Sequence, residues 1–220
     1  MKNTKQHLTF WQSDITKNQI KNWFDKPYNY INIYVHEYML KNEYKSVIDC
    51  GGGVWTQEKL LKEKKIDINY VGTEITKKFV DIGIEKGLEI YHCPTQNMTV
   101  PDNYCEIAIC LAVLNHQVEF VHTISELLRV AEKEVLISFF KPFLDDRNGI
   151  KEVKHCIEKF GVAGFDKNIG ISIKRHNKYI YTFFSKRAIE EYLKSLKVDY
   201  YFKVLKDDTI VLHIFKRENK

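Results

Sequence analysis

Residues 46–55 read SVIDCGGGVW, and the rest of the chain is best read outward from them. Two branched apolar residues, Val47 and Ile48, lead into Asp49 and then into glycines 51 to 53. A buried strand opening into such a loop suits the close approach of a phosphate, a ribose or another small anionic group. Glycine lets the backbone come near, and the helix that follows offers unpaired amides. Trp55 is the oddity, since the bulkiest side chain stands two residues after the last glycine.

From residue 46 onward strands and helices alternate. SVIDC precedes a helix in TQEKLLKEKK, and INYVGTE precedes one in TKKFVDIGIEKG. The short strand LEIYHC and the apolar strand CEIAICLAV follow. Next comes a helix with Val118, Val121, Ile124, Leu127, Leu128 and Ala131 on one face, and then the strand EVLISFF. This alternation predicts an α/β protein, a doubly wound sheet with parallel strands. Residues 1–45 read as helical and rich in aromatics, with Tyr30, Ile33, Tyr34, Tyr38 and Met39 near helical spacing. They form an expected N-terminal cap or lid before a main domain at 46–220.

The last third is different. Residues 141–178 are polar and punctuated by glycine, and are expected to form an insertion. After YIYTFF comes a helix, SKRAIEEYLKSL, opened by Ser185 as N-cap. Two strands, DYYFKVL and TIVLHIFKR, are separated only by Lys206, Asp207 and Asp208, which predicts an antiparallel hairpin.

Composition narrows the function classes. The 220 residues suffice for one domain with a real core, and 44% hydrophobic with 29% charged content is ordinary for a soluble globular protein. The first residues lack the apolar run of a signal peptide, and IAICLAVL is far too short to span a bilayer, so no membrane partner and a cytoplasmic location are expected. Cysteines 50, 93, 105, 110 and 156 include no Cys-x-x-Cys pair, so reduced core thiols are expected and a metal is not. The net charge of +5 is spread along the chain and reads as a solvated surface compatible with anionic small molecules. A nucleic-acid partner stays open but is not favoured, and the oligomeric state is not readable.

The glycine loop nearly meets the dinucleotide fingerprint Gly-x-Gly-x-x-Gly/Ala, but Thr56 takes the last place. Asp49 stands two residues before the first glycine, and some 45 residues precede the loop, which tilts the reading away from NAD. Taken together, the motifs resemble those of the class I S-adenosylmethionine-dependent methyltransferases. Val47, Ile48, Asp49, Gly51 and Gly53 match the family's first motif, and Glu74 in YVGTEIT matches the acid that ends the second strand. DNYCEIAICLAVLNH (102–116) is similar to the fourth motif, and ISELLRVAEKEVLISFF (124–140) to the helix and strand after it, with Glu132-Lys133 where a glycine turn is usual. The resemblance covers 46–140 well and 179–216 loosely. It implies a Rossmann-like seven-stranded sheet of order 3-2-1-4-5-7-6 closing in an antiparallel hairpin, with S-adenosyl-L-methionine as cofactor.

For the site, the resemblance implies cofactor contacts at Asp49 (the methionyl amine), Gly51, Gly53, Glu74 (both ribose hydroxyls) and Leu111. The third-motif acid is absent from Cys93-Pro94-Thr95-Gln96, which leaves Gln96 or Asn97 to meet the adenine. Trp55 either packs under the first helix or walls the methionine end of the cofactor. Asn115-His116 stands where Glu-His is common, and His116 is either a general base or the residue that orders that loop.

No Asn/Asp-Pro-Pro-Tyr/Phe signature follows strand four, where Leu111-Ala112-Val113-Leu114 stands, so an adenine or amide N-methyltransferase is not expected. The expected acceptor is small, an oxygen nucleophile on a sugar, nucleotide-linked or phosphorylated intermediate. Trp11, Trp23 and Phe10 would close over it, beside Asn115, with Lys141, Arg147, Lys174 and Arg175 holding an anionic group. The alternatives are an RNA or protein methyltransferase and a non-catalytic cofactor-binding module.

Overall fold

A computed structural model describes residues 29–139, 142–166, 169–175 and 179–217. In chain order its elements are α1 (Tyr30–Lys41), β1 (Ser46–Cys50), α2 (Thr56–Glu63), β2 (Asn69–Glu74), α3 (Lys77–Glu85), β3 (Glu89–His92) and β4 (Cys105–Cys110). A 3₁₀ turn (Leu114–His116) leads to α4 (Val121–Val130), β5 (Ala131–Phe139), α5 (Arg147–Phe160), β6 (Val162–Asp166), β7 (Gly170–Arg175) and β8 (Tyr179–Phe184). The chain closes with α6 (Lys186–Ser195), β9 (Asp199–Val204) and β10 (Ile210–Phe215).

Seven strands form one sheet in the order β3-β2-β1-β4-β5-β10-β9. The first five are parallel, while β10 runs antiparallel to both β5 and β9. This is the doubly wound sheet and closing hairpin expected from the sequence. Its central strands are apolar on both faces, as a sheet covered on both sides requires. Ile48, Cys50, Ala108, Cys110, Val135 and Ile137 pack with Ile124 and Leu127 of α4 and with Ile189 and Leu193 of α6. The alternate residues Val47, Ile107, Ile109 and Leu136 pack with Ile31, Val35 and Met39 of α1.

Several expectations are corrected. The buried stripe of α1 is Ile31, Val35 and Met39, one residue round from the tyrosine stripe read in the sequence; Tyr30 is 52% exposed. Tyr34 and Tyr38 are only half-buried, with their hydroxyls turned to a polar cluster on β5 and β10. Val118 lies outside α4 and is exposed, and Ala131 belongs to β5 rather than to the helix face. The chain passes from α4 into β5 at Ala131 with φ −79° and ψ 140°. No left-handed residue is used there, so the glycine turn absent from the sequence is not needed. His92 is exposed rather than packed, its Nε2 3.0 Å from the Ile75 carbonyl oxygen.

The polar segment after β5, the expected insertion, contains regular structure. Its glycine-punctuated part folds with the YIYTFF strand into a second antiparallel sheet, β6-β7-β8, backed by α5. Val153 and Cys156 of α5 meet Ile173, Tyr181 and Phe183 in a small core of their own. Asp145 accepts from the Ser185 hydroxyl and from the amides of Lys186 and Arg187, which caps α6. All five cysteines are buried and free. Among the described residues no helix is long and apolar enough to cross a membrane, and no group of His, Cys, Asp and Glu could hold a metal ion.

Candidate functional site

The carboxyl ends of β1, β2 and β4 meet above the sheet, where an open parallel sheet leaves its ligand crevice. The loop after β1 turns back on itself. Gly51 and Gly53 adopt φ +80° and +57°, and the amides of Gly51 and Gly52 donate to the Thr73 carbonyl at 2.8 and 3.3 Å. A Cβ on Gly51 would lie 2.6 Å from Val113 Cγ2, while one on Gly53 would meet nothing within 4 Å. The loop is therefore packed on one side at Gly51 and open at Gly53.

Glu74, at the end of β2, reaches this loop. Its Oε2 accepts from the Gly53 amide at 3.0 Å, and its Oε1 from the amides of Ile75 and Thr76 at 2.9 and 2.8 Å. The carboxyl is 6% exposed, and burial raises its pKa against the opposing pull of those donors. Asp49 is 4% exposed on the neighbouring strand. Its Oδ2 accepts from the Tyr70 hydroxyl at 2.6 Å. Burial pushes Asp49 up to about 7; the Tyr70 hydrogen bond pulls the other way and the nearby Glu74 carboxyl adds to the rise. Two desolvated acids close together are unfavourable by themselves, and a cationic, hydroxyl-bearing ligand answers both.

Trp55 does not line this crevice. It is fully buried and caps α2 in a left-handed conformation, φ 62° and ψ 46°. Its Nε1 donates to the Phe79 carbonyl at 2.9 Å. The indole occupies a slot made by three glycines: a Cβ on Gly52, Gly72 or Gly83 would come within 2.4, 2.3 or 2.8 Å of it. Of the two readings open in the sequence, the structure takes the packed one.

Beyond β4 the chain turns sharply. Ala112 has φ 66°, and its amide donates to Ser138 Oγ at 2.9 Å. A non-glycine residue held in this region marks stored strain of the kind found beside ligand sites. Leu111 is half-buried against the α1 side of the sheet. Asn115 is buried and donates its amide to the Thr182 carbonyl at 3.0 Å; His116 Nδ1 lies 3.2 Å from the Ile180 carbonyl. Because a carbonyl only accepts, Nδ1 carries the ring proton and Nε2 is the basic nitrogen. Both residues thus fasten β8 over the end of β4.

Gln117 extends the fastening. Its Nε2 donates to Thr95 Oγ1 at 2.6 Å, and its carbonyl accepts from Thr182 Oγ1 at 2.5 Å. This joins the loop after β3 to the small sheet. In that loop Gln96 is half-buried and Asn97 exposed.

The structure brings Asp49, Gly51, Gly53 and Glu74 of the expected cofactor site together. Tyr70, Gly52, Val113, Thr95 and Gln117, which the sequence did not single out, lie against them or against the turn after β4. The one available signal was the bulky Trp55 near Gly52, Gly72 and Gly83, since a large ring needs a site without side chains. Trp11, Trp23, Phe10 and Lys141 lie outside the described residues. Arg147 opens α5 and Lys174 and Arg175 end β7, but their side chains also lie outside what is described.

Residues 48–139 match the family model of the methyltransferase domain. No curated protein matches the sequence. Among solved structures, the chain is similar to magnesium protoporphyrin IX methyltransferase from Synechocystis PCC 6803 with bound S-adenosylhomocysteine. Identity is 15%, coverage 97% of this chain and 99% of that one, and the TM-score 0.63. A protein from Pyrococcus horikoshii gives 12% identity, 95% and 96% coverage and a TM-score of 0.64. A Thermotoga maritima S-adenosylmethionine-dependent methyltransferase, a possible histamine N-methyltransferase, gives 13%, 91%, 96% and 0.59. With the glycine loop, the two strand-end acids and the seven-stranded sheet in place, residues 48–139 are a methyltransferase domain and the chain as a whole has the fold of the solved methyltransferases, for which S-adenosylmethionine is the indicated cofactor.

Proposed function

We propose that this enzyme methylates a small molecule, an oxygen nucleophile on a sugar, nucleotide-linked or phosphorylated intermediate. The observation that carries the reading is the seating of β8 on the turn at 114–117. Packed secondary structure next to the carboxyl end of β4 supports a bounded site for a small acceptor rather than an open face for a polymer. The net charge of +5 is compatible with an anionic acceptor, for which Lys141, Arg147 and Arg175 are the proposed cations.

The residues present fit the cofactor. Bound S-adenosylmethionine supplies a methyl group made electrophilic by its sulfonium. The chain's own work is placement and dryness. Glu74 accepts from the ribose hydroxyls, Asp49 meets the methionyl ammonium, and the loop at Gly51 and Gly53 passes alongside. Gln96, Asn97 and Leu111 border the adenine side. Where the acceptor hydroxyl must lose a proton, Nε2 of His116 takes it, with Nδ1–H holding the ring on the Ile180 carbonyl. Asn115 shapes the same wall through Thr182.

Two measurements check this. Glu74→Ala is expected to weaken S-adenosylhomocysteine binding by about 1.5–3 kcal/mol, the worth of hydrogen bonds to a charged group. Calorimetry on a folded variant with unchanged affinity would reject the ribose placement. Incubation with methyl-labelled S-adenosylmethionine and a panel of hydroxylated, phosphorylated and nucleotide-linked metabolites is expected to label one of them. Label entering only RNA or protein, offered in parallel, would overturn the small-molecule reading.

A further inference from the structure

Directly opposite Asp49 on β2 stands Gly72, and Tyr70 lies two residues back on the same face. The diagonal neighbour across paired strands is within reach of a long side chain. Tyr70 uses it, placing its hydroxyl 2.6 Å from Asp49 Oδ2. Space above Gly72 is filled by the Trp55 indole, whose ring meets the Tyr70 ring edge-to-face with centroids 6.5 Å apart. The indole is itself pinned through Nε1 to Phe79. A rigid aromatic therefore stands behind the tyrosine, and the tyrosine stands behind the acid.

We propose that Tyr70 is a positioning residue for the cofactor site: its hydroxyl takes one oxygen of Asp49 and leaves the other, in fixed orientation, for the cofactor's ammonium. The proposal rests on the placement of that ammonium at Asp49. Buried in low dielectric, a carboxylate next to Glu74 tends to take up a proton, and a protonated acid loses its attraction for a cation. A donor that favours the charged form opposes this. No other donor to the Asp49 carboxyl is seen among the described residues. The remaining ionisable groups nearby do not help. Glu74 is acidic; Cys50 on the same strand and Cys110 on β4 have thiols pushed up by burial; and Glu58 of α2 acts on Tyr70.

Tyr70→Phe keeps the ring against Trp55 and removes only the hydroxyl. In the protein without ligand, a carbon-13 NMR titration of the Asp49 carboxyl should move its midpoint upward by about one to two pH units. S-adenosylhomocysteine affinity should fall roughly tenfold near pH 7 and recover most of the loss near pH 9, where Asp49 is ionised in both proteins. A purely structural role would give a loss independent of pH. An unchanged titration and a flat affinity ratio, with Asp49→Asn still weakening binding, would overturn the role of Tyr70. If Asp49→Asn binds S-adenosylhomocysteine as well as the parent does, the ammonium placement itself is wrong and the proposal falls with it.

Discussion

Glu134→Ala is expected to lower the unfolding free energy by about 3–5 kcal/mol, the range for breaking a buried charged network by removing one member. Glu134 on β5 and His213 on β10 are both fully buried, with Oε1 2.7 Å from Nδ1. Tyr38 donates to the two carboxylate oxygens at 3.0 and 3.1 Å, and Tyr44 donates to Oε2. Tyr34 lies 2.9 Å from His213 Nε2, and Tyr201 of β9 stacks on that imidazole with centroids 4.3 Å apart. Burial, followed by contact with Glu134, raises the pKa of Tyr38 and Tyr44, so both phenols remain donors at neutral pH. Loss of the carboxylate leaves two hydroxyls and an imidazole nitrogen without their acceptor.

Glu134→Gln keeps one acceptor oxygen and should cost less. Urea unfolding at pH 7 reads both variants. The cluster sits near the start of β5, away from the carboxyl ends of the strands, so a folded variant should bind S-adenosylhomocysteine as the parent does. A loss below about 1 kcal/mol for Glu134→Ala would mean that the network contributes little to holding α1 on the sheet.

Trp55→Ala should be comparably severe, at about 3–5 kcal/mol, because the slot lined by Gly52, Gly72 and Gly83 becomes a cavity that its glycines cannot fill. The sharper expectation concerns glycine at the same position. Glycine is already favoured over alanine at an N-cap, and at Trp55 φ is 62°. Any side chain there is strained, whereas glycine is not. Trp55→Gly should therefore be more stable than Trp55→Ala by about 1 kcal/mol. Both variants lose the same indole, so the difference isolates the backbone term. If alanine proves the more stable, the left-handed cap is not as described.

Much of the fold could be read from local pattern. Val47, Ile48, Ile107 and Ile109 mark strands covered on both faces, because no alternation of polar residues interrupts them. Ser185 announces its helix by chemistry confined to one turn, and its Oγ does accept from the Ala188 amide at 3.2 Å. The meeting of Asp49, Gly51, Gly53 and Glu74 was legible because their placement depends on short spacing at strand ends. Other features depend on partners far along the chain. The face of α1 looked aromatic, yet Ile31, Val35 and Met39 are buried. The Tyr34 hydroxyl meets His213 and the Tyr38 hydroxyl meets Glu134, partners 179 and 96 residues away.

The segment after β5 looked polar because β6 is exposed, Phe165 by 66%, and only β7 and β8 turn apolar residues into a small core. Thr182, Asn115 and Gln117 are ordinary polar residues until the backbone of β8 is brought against them. Tyr70 gave no sign at all. Its meaning comes from register, which sets Gly72 opposite Asp49 and leaves the diagonal position within reach. Sequence alone determined which residues could make a strand, a loop and a cap. Tertiary structure decided which buried polar groups face one another, since burial raises the cost of every unpaired donor and acceptor and only the assembled fold supplies the partners.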